Sequence, residues 1–360
     1  MQPLTQRDRY VPLDILRGLA LFGVLLVNLL TIFRVSLFAH IAGTDLPDDA
    51  AGRIISTITA VFLEFKAFTL FSFLFGAGIA VQMERLSSRG GATVFLLRRF
   101  LVLLAIGIVH LVLIWNGDIL TLYAVSGLLA IPLLRLPNLA MAIAGVVLIW
   151  FSYVGTLPIH FPNMQALQKH ALEANSVYAG GSYVEIFAFR WRETKEFMGP
   201  LLLLTLPQTL GLNLLGAAAW RSNLLTARRN LWLPTFLVSA AIGAAGSLLH
   251  IRLVANVSLA ITYAAAVLLW IPKAPLLAAG GQMALTNYLA QSLVFCLIFY
   301  GYGLGQFGRL GVVTTTAGGI VFYLAQLIFS RWWLDRFQFG PVEWLWRSLT
   351  YERRQPMRKR

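Results

Sequence analysis

The chain has 360 residues, of which 58% are hydrophobic and only 12% are charged, and its formal net charge is +14. Soluble domains carry about 25% charged residues, so this composition excludes an ordinary soluble protein and indicates a polytopic membrane protein. The cations fall between apolar runs, which argues against nucleic acid binding and favours the positive-inside pattern of a multi-pass membrane protein. With a single cysteine, Cys296, and no paired-His spacing, the sequence supports no disulfide framework and no metal site.

The first apolar run, residues 9–30, carries three polar side chains: Asp14, Arg17 and Asn28. On a helix Asp14 and Arg17 share a face and can pair, and Asn28 follows Arg17 on roughly the same face about 16 Å further along. Polar groups at membrane depth mark either a bundle interior or a functional path. The residues alone leave both interpretations open.

The apolar runs predict an all-α helix bundle with about ten transmembrane helices in a single domain. The predicted spans are 15–35, 54–82, 95–115, 119–134, 139–157, 198–219, 231–249, 257–271, 283–300 and 312–332. This arrangement puts most cations and both termini on the cytoplasmic side, with 333–360 as a cytoplasmic segment at the membrane interface. The longest segment between spans, 158–197, is then an outer loop that contains an amphipathic helix.

His110 lies within the third predicted span, and Asp118 follows the Asn116-Gly117 turn just before the fourth. If the turn folds Asp118 back toward the histidine, the two form a general base and its orienting carboxylate. The alternative is an interhelical hydrogen bond from His110 and a helix N-cap from Asp118. His40 lies near the outer end of the first span, 12 residues after Asn28.

Several polar residues are candidates for binding a ligand near the cytoplasmic face. Cationic side chains at this face would suit a phosphorylated ligand, although topology alone explains most of them. A polar group at the start of the ninth span either holds helices together or lines the entry of a polar ligand. The cations are Arg17, Lys66, Arg98 and Arg99, beside Asp14, and the polar group of the ninth span contains Asn287, Tyr288 and Gln291.

Five runs resemble the YeiB family of bacterial inner-membrane proteins, which contains a domain of unknown function. They are LDILRGLALFGVLLVN, FTLFSFLFGAGIA, RRFLVLLAIGIVHLVLIWNGDILTLYA, MALTNYLAQS with YGYGLG, and RWWLDRFQFGPVEWLWRSLTY. The resemblance extends from about residue 10 to residue 355, and its most specific elements are GDIL and FGPVEWLWRSLTY.

The pattern at Asp14, Arg17, Gly18 and Asn28 is more distantly similar to the first membrane helix of the heparan-glucosaminide acetyltransferase family. That resemblance implies an acyltransferase-like fold and transfer of an acyl group from cytoplasmic acyl-CoA or acetyl-CoA to an acceptor beyond or within the membrane. The acceptor would be a small molecule, a lipid or a glycan. In that family a catalytic His follows the Asn, and His40 stands one residue from the matching place.

The prediction is therefore a transmembrane acyltransferase in which His110 or His40 is the base, Asp118 orients it and Asn28 polarises the thioester carbonyl. The rival prediction is a permease for a lipid-like or small polar substrate, which uses the same polar groups as a path. A homodimer is compatible with either function. The inverted repeats common in transporters are not evident in the sequence.

Overall fold

The computed structural model describes residues 10–43, 49–87, 91–155, 161–226, 229–271 and 273–359. Within these ranges the chain is helical, and β-type pairing is limited to one isolated bridge between Phe337 and Arg358. Arg9, where the first predicted run begins, and residues 158–160, where the predicted outer loop begins, lie outside the described ranges.

Sixteen α-helices account for most of the described chain. They are α1 Val11–Asn28, α2 Leu37–Ile41, α3 Ala50–Phe62, α4 Lys66–Ser87, α5 Ala92–Val109, α6 Leu120–Leu133, α7 Asn138–Val154, α8 Met164–Gly180, α9 Tyr183–Glu193, α10 Gly199–Arg221, α11 Trp232–Leu248, α12 Arg252–Trp270, α13 Pro275–Gln282, α14 Ala284–Phe299, α15 Val312–Arg336 and α16 Pro341–Thr350. Three π-helical turns continue α1, continue α5 and join α9 to α10: Leu29–Phe33, His110–Ile114 and Thr194–Met198.

Within the described ranges six helical segments are long and apolar enough to cross a bilayer, which indicates a multi-pass membrane protein. They are Val11–Phe33, Ala50–Leu86, Ala92–Ile114, Tyr183–Arg221, Arg252–Trp270 and Val312–Arg336. The pair α13 and α14 would form a seventh, bent by 79° at Met283, and α6, α7 and α11 are shorter apolar helices. The predicted all-α membrane bundle is thus confirmed, while ten spans remain a prediction.

The segment 158–197 contains two helices, α8 and α9, where the sequence predicted one. Helix α9 begins with a capping box in which Ser182 and Glu185 satisfy each other's backbone donors. Its apolar residues Val184 and Trp191 are exposed, whereas Arg190 and Glu193 are buried. The helix therefore turns part of its charged face toward the protein.

Helices α1, α4, α5 and α6 define two ends of the bundle. The Arg17 guanidinium packs against Gly78 of α4, while Gly23 meets Ala67, so α1 and α4 run antiparallel. We call the end that carries Arg17 and Arg99 the basic end. The opposite end, with the turn at 115–118 between α5 and α6, is called the distal end.

Helix α16 packs against the basic end. The indole N–H of Trp346 donates to the carbonyl of Arg99 at 2.8 Å, and the Arg99 guanidinium lies 3.6 Å above the Trp346 ring. Glu343 accepts hydrogen bonds from the backbone N–H groups of Leu285 (2.8 Å) and Thr286 (3.0 Å), at the first turn of α14. The predicted interfacial tail is thus fastened to the bundle by specific polar contacts.

Candidate functional site

A cavity of about 250 Å³ opens at the basic end and extends inward between α1, α4, α5, α6, α14 and α16. Leucine and aromatic side chains form much of its wall, including Leu103, Leu120 and Tyr123. The charged and amide side chains along it are Asp14, Arg17, Gln82, Arg85, Arg99, Gln282, Glu343 and Arg347, and three tyrosines, Tyr10, Tyr123 and Tyr288, also line it. An apolar cleft with a few convergent polar groups is the usual form of a small-molecule site.

Asp14 and Arg17 form the predicted ion pair, with 2.8 Å between Oδ1 and Nη1. Helix α13 approaches this turn so closely that a Cβ on Gly281 would lie 1.9 Å from the carbonyl oxygen of Asp14. Two buried acceptors in the cavity wall, Oδ2 of Asp14 and Oε1 of Gln82, have no hydrogen-bond partner among the described residues. Buried acceptors are normally satisfied, so these two atoms suit N–H or O–H donors of a ligand.

The neighbouring arginines Arg98 and Arg99 face different ways. Arg99 lines the cavity, whereas Arg98 forms an ion pair with Glu352 at 2.9 Å outside it. The predicted grouping of Lys66 with the arginines of the basic end is wrong. Arg17 packs against Gly78 and Arg85 lies near the end of α4, whereas Lys66 begins this helix. The Lys66 ammonium instead donates to the carbonyl of Ala60 at 3.1 Å.

His110 and Asp118 are in direct contact, with 2.8 Å between Nδ1 and Oδ1, and their side chains are 1% and 0% exposed. The same carboxylate accepts the backbone N–H groups of Leu120 (3.1 Å) and Thr121 (2.7 Å), at the start of α6. Asp118 therefore has both of the roles considered above: it caps α6 and it is the hydrogen-bond partner of His110. The backbone bonds fix the carboxylate, and the carboxylate in turn fixes the imidazole.

The other ring nitrogen of His110, Nε2, is buried and has no hydrogen-bond partner in the described part of the chain. Leu103, Gly107 and His110 recur at helical spacing, so the ring continues the α5 face that begins in the cavity at Arg99. Tyr288 lines the inner part of the cavity, and its ring centroid lies 5.3 Å from that of His110. The Tyr288 hydroxyl donates to the carbonyl of Gly117 at 3.2 Å, so Tyr288 connects the cavity to the turn that holds Asp118.

The two other polar residues predicted with Tyr288 serve helix packing. The Asn287 amide donates to Ser330 at 3.0 Å and to the carbonyl of Gly280 at 3.2 Å, across the bend between α13 and α14. The Gln291 amide donates to Oε1 of Gln326 at 2.8 Å. Neither residue lines the cavity.

The remaining predicted catalytic residues lie apart from the cavity. His40, on α2, lies 3.6 Å from Oε1 of Glu64, and its side chain is 31% exposed. Asn28 is half-buried at the end of α1 that is opposite Arg17. The structure therefore brings Asp118 to His110 and not to His40.

A buried polar cluster at the distal end was not predicted from the sequence. Its centre is Glu193, which accepts hydrogen bonds from His170 Nε2 (2.8 Å), the Tyr178 hydroxyl (2.5 Å) and the Asn116 amide. The sequence feature that comes closest to indicating this cluster is the pair of charges Arg190 and Glu193, which are three residues apart. They lie in a segment whose pattern predicts an interfacial helix. Within the described ranges no three His, Cys, Asp or Glu side chains are grouped so as to hold a metal ion.

Three bacterial relatives align with nearly the whole chain. The uncharacterized protein YxaH of Bacillus subtilis (strain 168) is 32% identical over 405 aligned residues, which cover 100% of this chain and 98% of the relative. The uncharacterized protein YeiB of Escherichia coli (strain K12) is 30% identical, and the alignment covers 95% of this chain and 96% of YeiB. The chain belongs to the YeiB family.

A further YeiB-family relative, an uncharacterized 39.9 kDa protein encoded in the amylase 3' region of Bacillus acidopullulyticus, is 30% identical over 99% of this chain and 98% of its own length. The family described as protein of unknown function DUF418 matches residues 185–353. This match includes Tyr288 and Glu343, whereas Arg17, His110 and Asp118 precede it.

Proposed function

We propose that this YeiB-family protein is a membrane acyltransferase that takes acyl groups from acyl-CoA and passes them to a hydroxyl or amine. One observation supports this most directly: a buried His110–Asp118 pair, with Nε2 of the histidine unpartnered, lies beside the inner part of an arginine-lined cavity. The pair is the minimal arrangement of a general base and its orienting carboxylate.

The charge distribution of the cavity matches that of a CoA thioester. Four arginines line it, Arg17, Arg85, Arg99 and Arg347, and arginine is well suited to phosphate groups. His110 follows Arg99 by 11 residues on the same helical run, a rise of about 16 Å. A ligand with an anionic head and a long amide-containing arm therefore fits this separation.

The unpartnered acceptors of Asp14 and Gln82 support the same ligand. Amide N–H groups of the CoA arm would satisfy Oδ2 of Asp14 and Oε1 of Gln82 in a wall that offers few other acceptors.

In the proposed reaction His110 Nε2 removes the proton of the acceptor hydroxyl or amine as its oxygen or nitrogen attacks the thioester carbonyl. The carbon–sulfur bond then breaks, and the imidazolium returns the proton to the leaving thiolate, which gives free CoA and the acylated acceptor. Asp118 holds the imidazole with the proton on Nδ1 and stabilises the imidazolium.

The orientation that suits this reaction has the basic end and both termini in the cytoplasm of the bacterial cell, in its inner membrane. Acyl-CoA would enter there, and a small-molecule, lipid or glycan acceptor would approach from the distal end or from the bilayer. The positive-inside rule favours the same orientation.

Calorimetric titration of the detergent-solubilised protein with CoA and acetyl-CoA tests the ligand. We expect Arg99→Gln to weaken CoA binding about 10- to 100-fold, because a buried charge-assisted contact is worth about 1.5–3 kcal/mol. Arg98→Gln is the matched control, since Arg98 faces Glu352 outside the cavity, and it should leave binding unchanged. Absence of CoA binding by the wild type, or equal losses in the two variants, would contradict the proposal.

The bend of 79° between α13 and α14 favours a second candidate, a permease, because broken helices line the binding sites of many transporters. The bend lies at the cavity wall, where Gly281 and Ala284 contribute to the lining. Reconstituted vesicles distinguish the two functions. A transferase releases CoA thiol from acetyl-CoA when an acceptor is supplied, whereas a permease moves its substrate without consuming the thioester.

A further inference from the structure

Arg190 is a buried cation that has no counter-ion among the described residues. Its side chain is 1% exposed, yet it lies on α9, whose neighbouring residue Trp191 faces outward. One guanidinium nitrogen, Nη1, donates to the carbonyl of Ile114, the last residue of the π turn that begins at His110. Nε and Nη2 have no hydrogen-bond partner.

These two nitrogens form one edge of the guanidinium group. The Nε–H and one Nη2–H point the same way, in the side-on geometry by which arginine binds the two oxygens of a carboxylate. Leaving both donors and the charge unsatisfied inside the protein is costly, so the edge is expected to receive an anion.

The nearest carboxylate on the same helix does not fill this role. Both oxygens of Glu193 are engaged, Oε1 with His170 and Oε2 with Tyr178 and Asn116. Among the described residues Arg190 has no ion-pair partner within 4.0 Å. An anion that fills this edge would therefore come from outside the described part of the chain.

The Arg190 guanidinium lies beneath aromatic side chains at the surface. Its central carbon is 6.0 Å from the ring centre of Tyr183, which is 42% exposed. The rings of Tyr183 and Tyr302 lie 5.4 Å apart. Because Nε and Nη2 are buried, a ligand reaches the free edge only when this aromatic cover opens.

We infer that Arg190 is a binding site for the carboxylate group of a small molecule, separate from the arginine-lined cavity. A carboxylate fits better than a phosphate, because its one charge and two oxygens match one free edge. A phosphate dianion would leave oxygens and charge unsatisfied among aromatic rings. The role of this site in the reaction rests on the proposed function: in that case the acceptor carries a carboxylate, which Arg190 binds near His110.

Binding of acetate to the purified, CoA-free protein tests the inference. Acetate should bind the wild type saturably and raise its thermal midpoint, whereas neutral glycerol should not. Arg190→Lys keeps the charge but loses the two-donor edge and should weaken acetate binding at least tenfold. Arg192→Lys is the matched control, because Arg192 is exposed two residues further on, and it should bind acetate as the wild type does.

A second variant and a measurement on the wild type distinguish loss of the binding site from misfolding of the variant. Arg190→Gln keeps a donor for the Ile114 carbonyl and should also lose acetate binding. In the wild type, acetate should slow amide hydrogen exchange in 110–118 and in 183–193, and glycerol should not.

Three results would overturn the inference: no saturable acetate binding by the wild type, equal binding by Arg190→Lys, or binding of inorganic phosphate in preference to acetate. The acetate assay contains no CoA, so its result does not depend on the acyltransferase proposal. If the protein binds acetate but shows no CoA affinity in the calorimetric titration, the acyltransferase proposal is refuted and the carboxylate site stands.

Discussion

Replacing Asp118 by Asn separates the two roles of this carboxylate. The wild-type side chain uses Oδ1 for His110 Nδ1 and Leu120 N–H, and Oδ2 for Thr121 N–H. An asparagine can keep its single oxygen on the Thr121 N–H at the start of α6. Its NH₂ group then faces Nδ1 of His110 and donates to it, so the imidazole proton moves to Nε2 and the ring can no longer act as a base there.

The expected loss of rate is large and the expected loss of stability is small. A positioned general base contributes about 10²–10⁴ in rate, and all of it depends on a free Nε2. Asn keeps the shorter of the two backbone bonds, 2.7 Å to Thr121, so the folded protein should lose only about 1 kcal/mol. Asp118→Ala should cost about 0.5–2 kcal/mol more through loss of the cap.

Thiol release from acetyl-CoA in the presence of candidate acceptors measures the rate, and thermal unfolding measures the stability. Asp49→Asn is the matched control, because Asp49 caps α3 through a 2.6 Å bond to the Gly52 N–H and has no histidine partner among the described residues. Nitrogen-15 shifts of labelled histidine would report the tautomer of His110 directly. The reasoning fails if Asp118→Asn turns over as fast as Asp49→Asn, or if Nδ1 stays protonated in the variant.

Three further predictions concern stability. Arg17→Ala should destabilise the protein by about a few kcal/mol, because it leaves the buried carboxylate of Asp14 unpaired. Chemical unfolding should show that the double variant Asp14→Ala/Arg17→Ala is less destabilised, and equal losses of stability would refute the pairing. Gly281→Ala should lower the thermal midpoint, since its Cβ would meet the α1 backbone, whereas Gly318→Ala, with open space around it, should be tolerated. Burial raises the pKa of Glu343 despite hydrogen bonds from Thr286. Stability should therefore fall as pH rises from the ordinary glutamate pKa through the raised one, and Glu343→Gln should abolish that slope in pH-dependent unfolding.

The polar pairs within one turn or across one tight turn were predictable from the sequence. Asp14 and Arg17 are three residues apart on one helix, so helical geometry brings them together. His110 and Asp118 required one more assumption, that the Asn116-Gly117 turn reverses the chain, and the structure has that reversal. The apolar runs likewise predicted the helices, because hydrophobic length is a local property.

The positions that depend on packing between distant helices were not predictable in the same way. The sequence pattern around Lys66 is compatible with a cytoplasmic cation. The break at 63–65, between α3 and α4, instead places Lys66 at the opposite end of α4 from Arg85. Arg190 and Glu193 are buried because α9 packs against the His110–Ile114 turn and α8. Their spacing fits an exposed helix face equally well, so only the tertiary structure distinguishes the two.

The three π-helical turns all lie around the turn at 115–118. One starts at His110, one follows Glu193, and one ends at Phe33, whose ring stacks on Trp115 at 4.2 Å. Each wide turn accommodates an extra residue, so the side chains before and after it are rotated relative to each other about the helix axis. Deleting one residue within such a turn would restore an ordinary α-helix with nearly unchanged hydrophobicity, yet it would point His110 or Arg190 away from its partners. We therefore expect single-residue gaps at these three places, in an alignment of homologous chains, to separate members that keep His110 and Arg190 beside their partners from members that keep only the membrane helices.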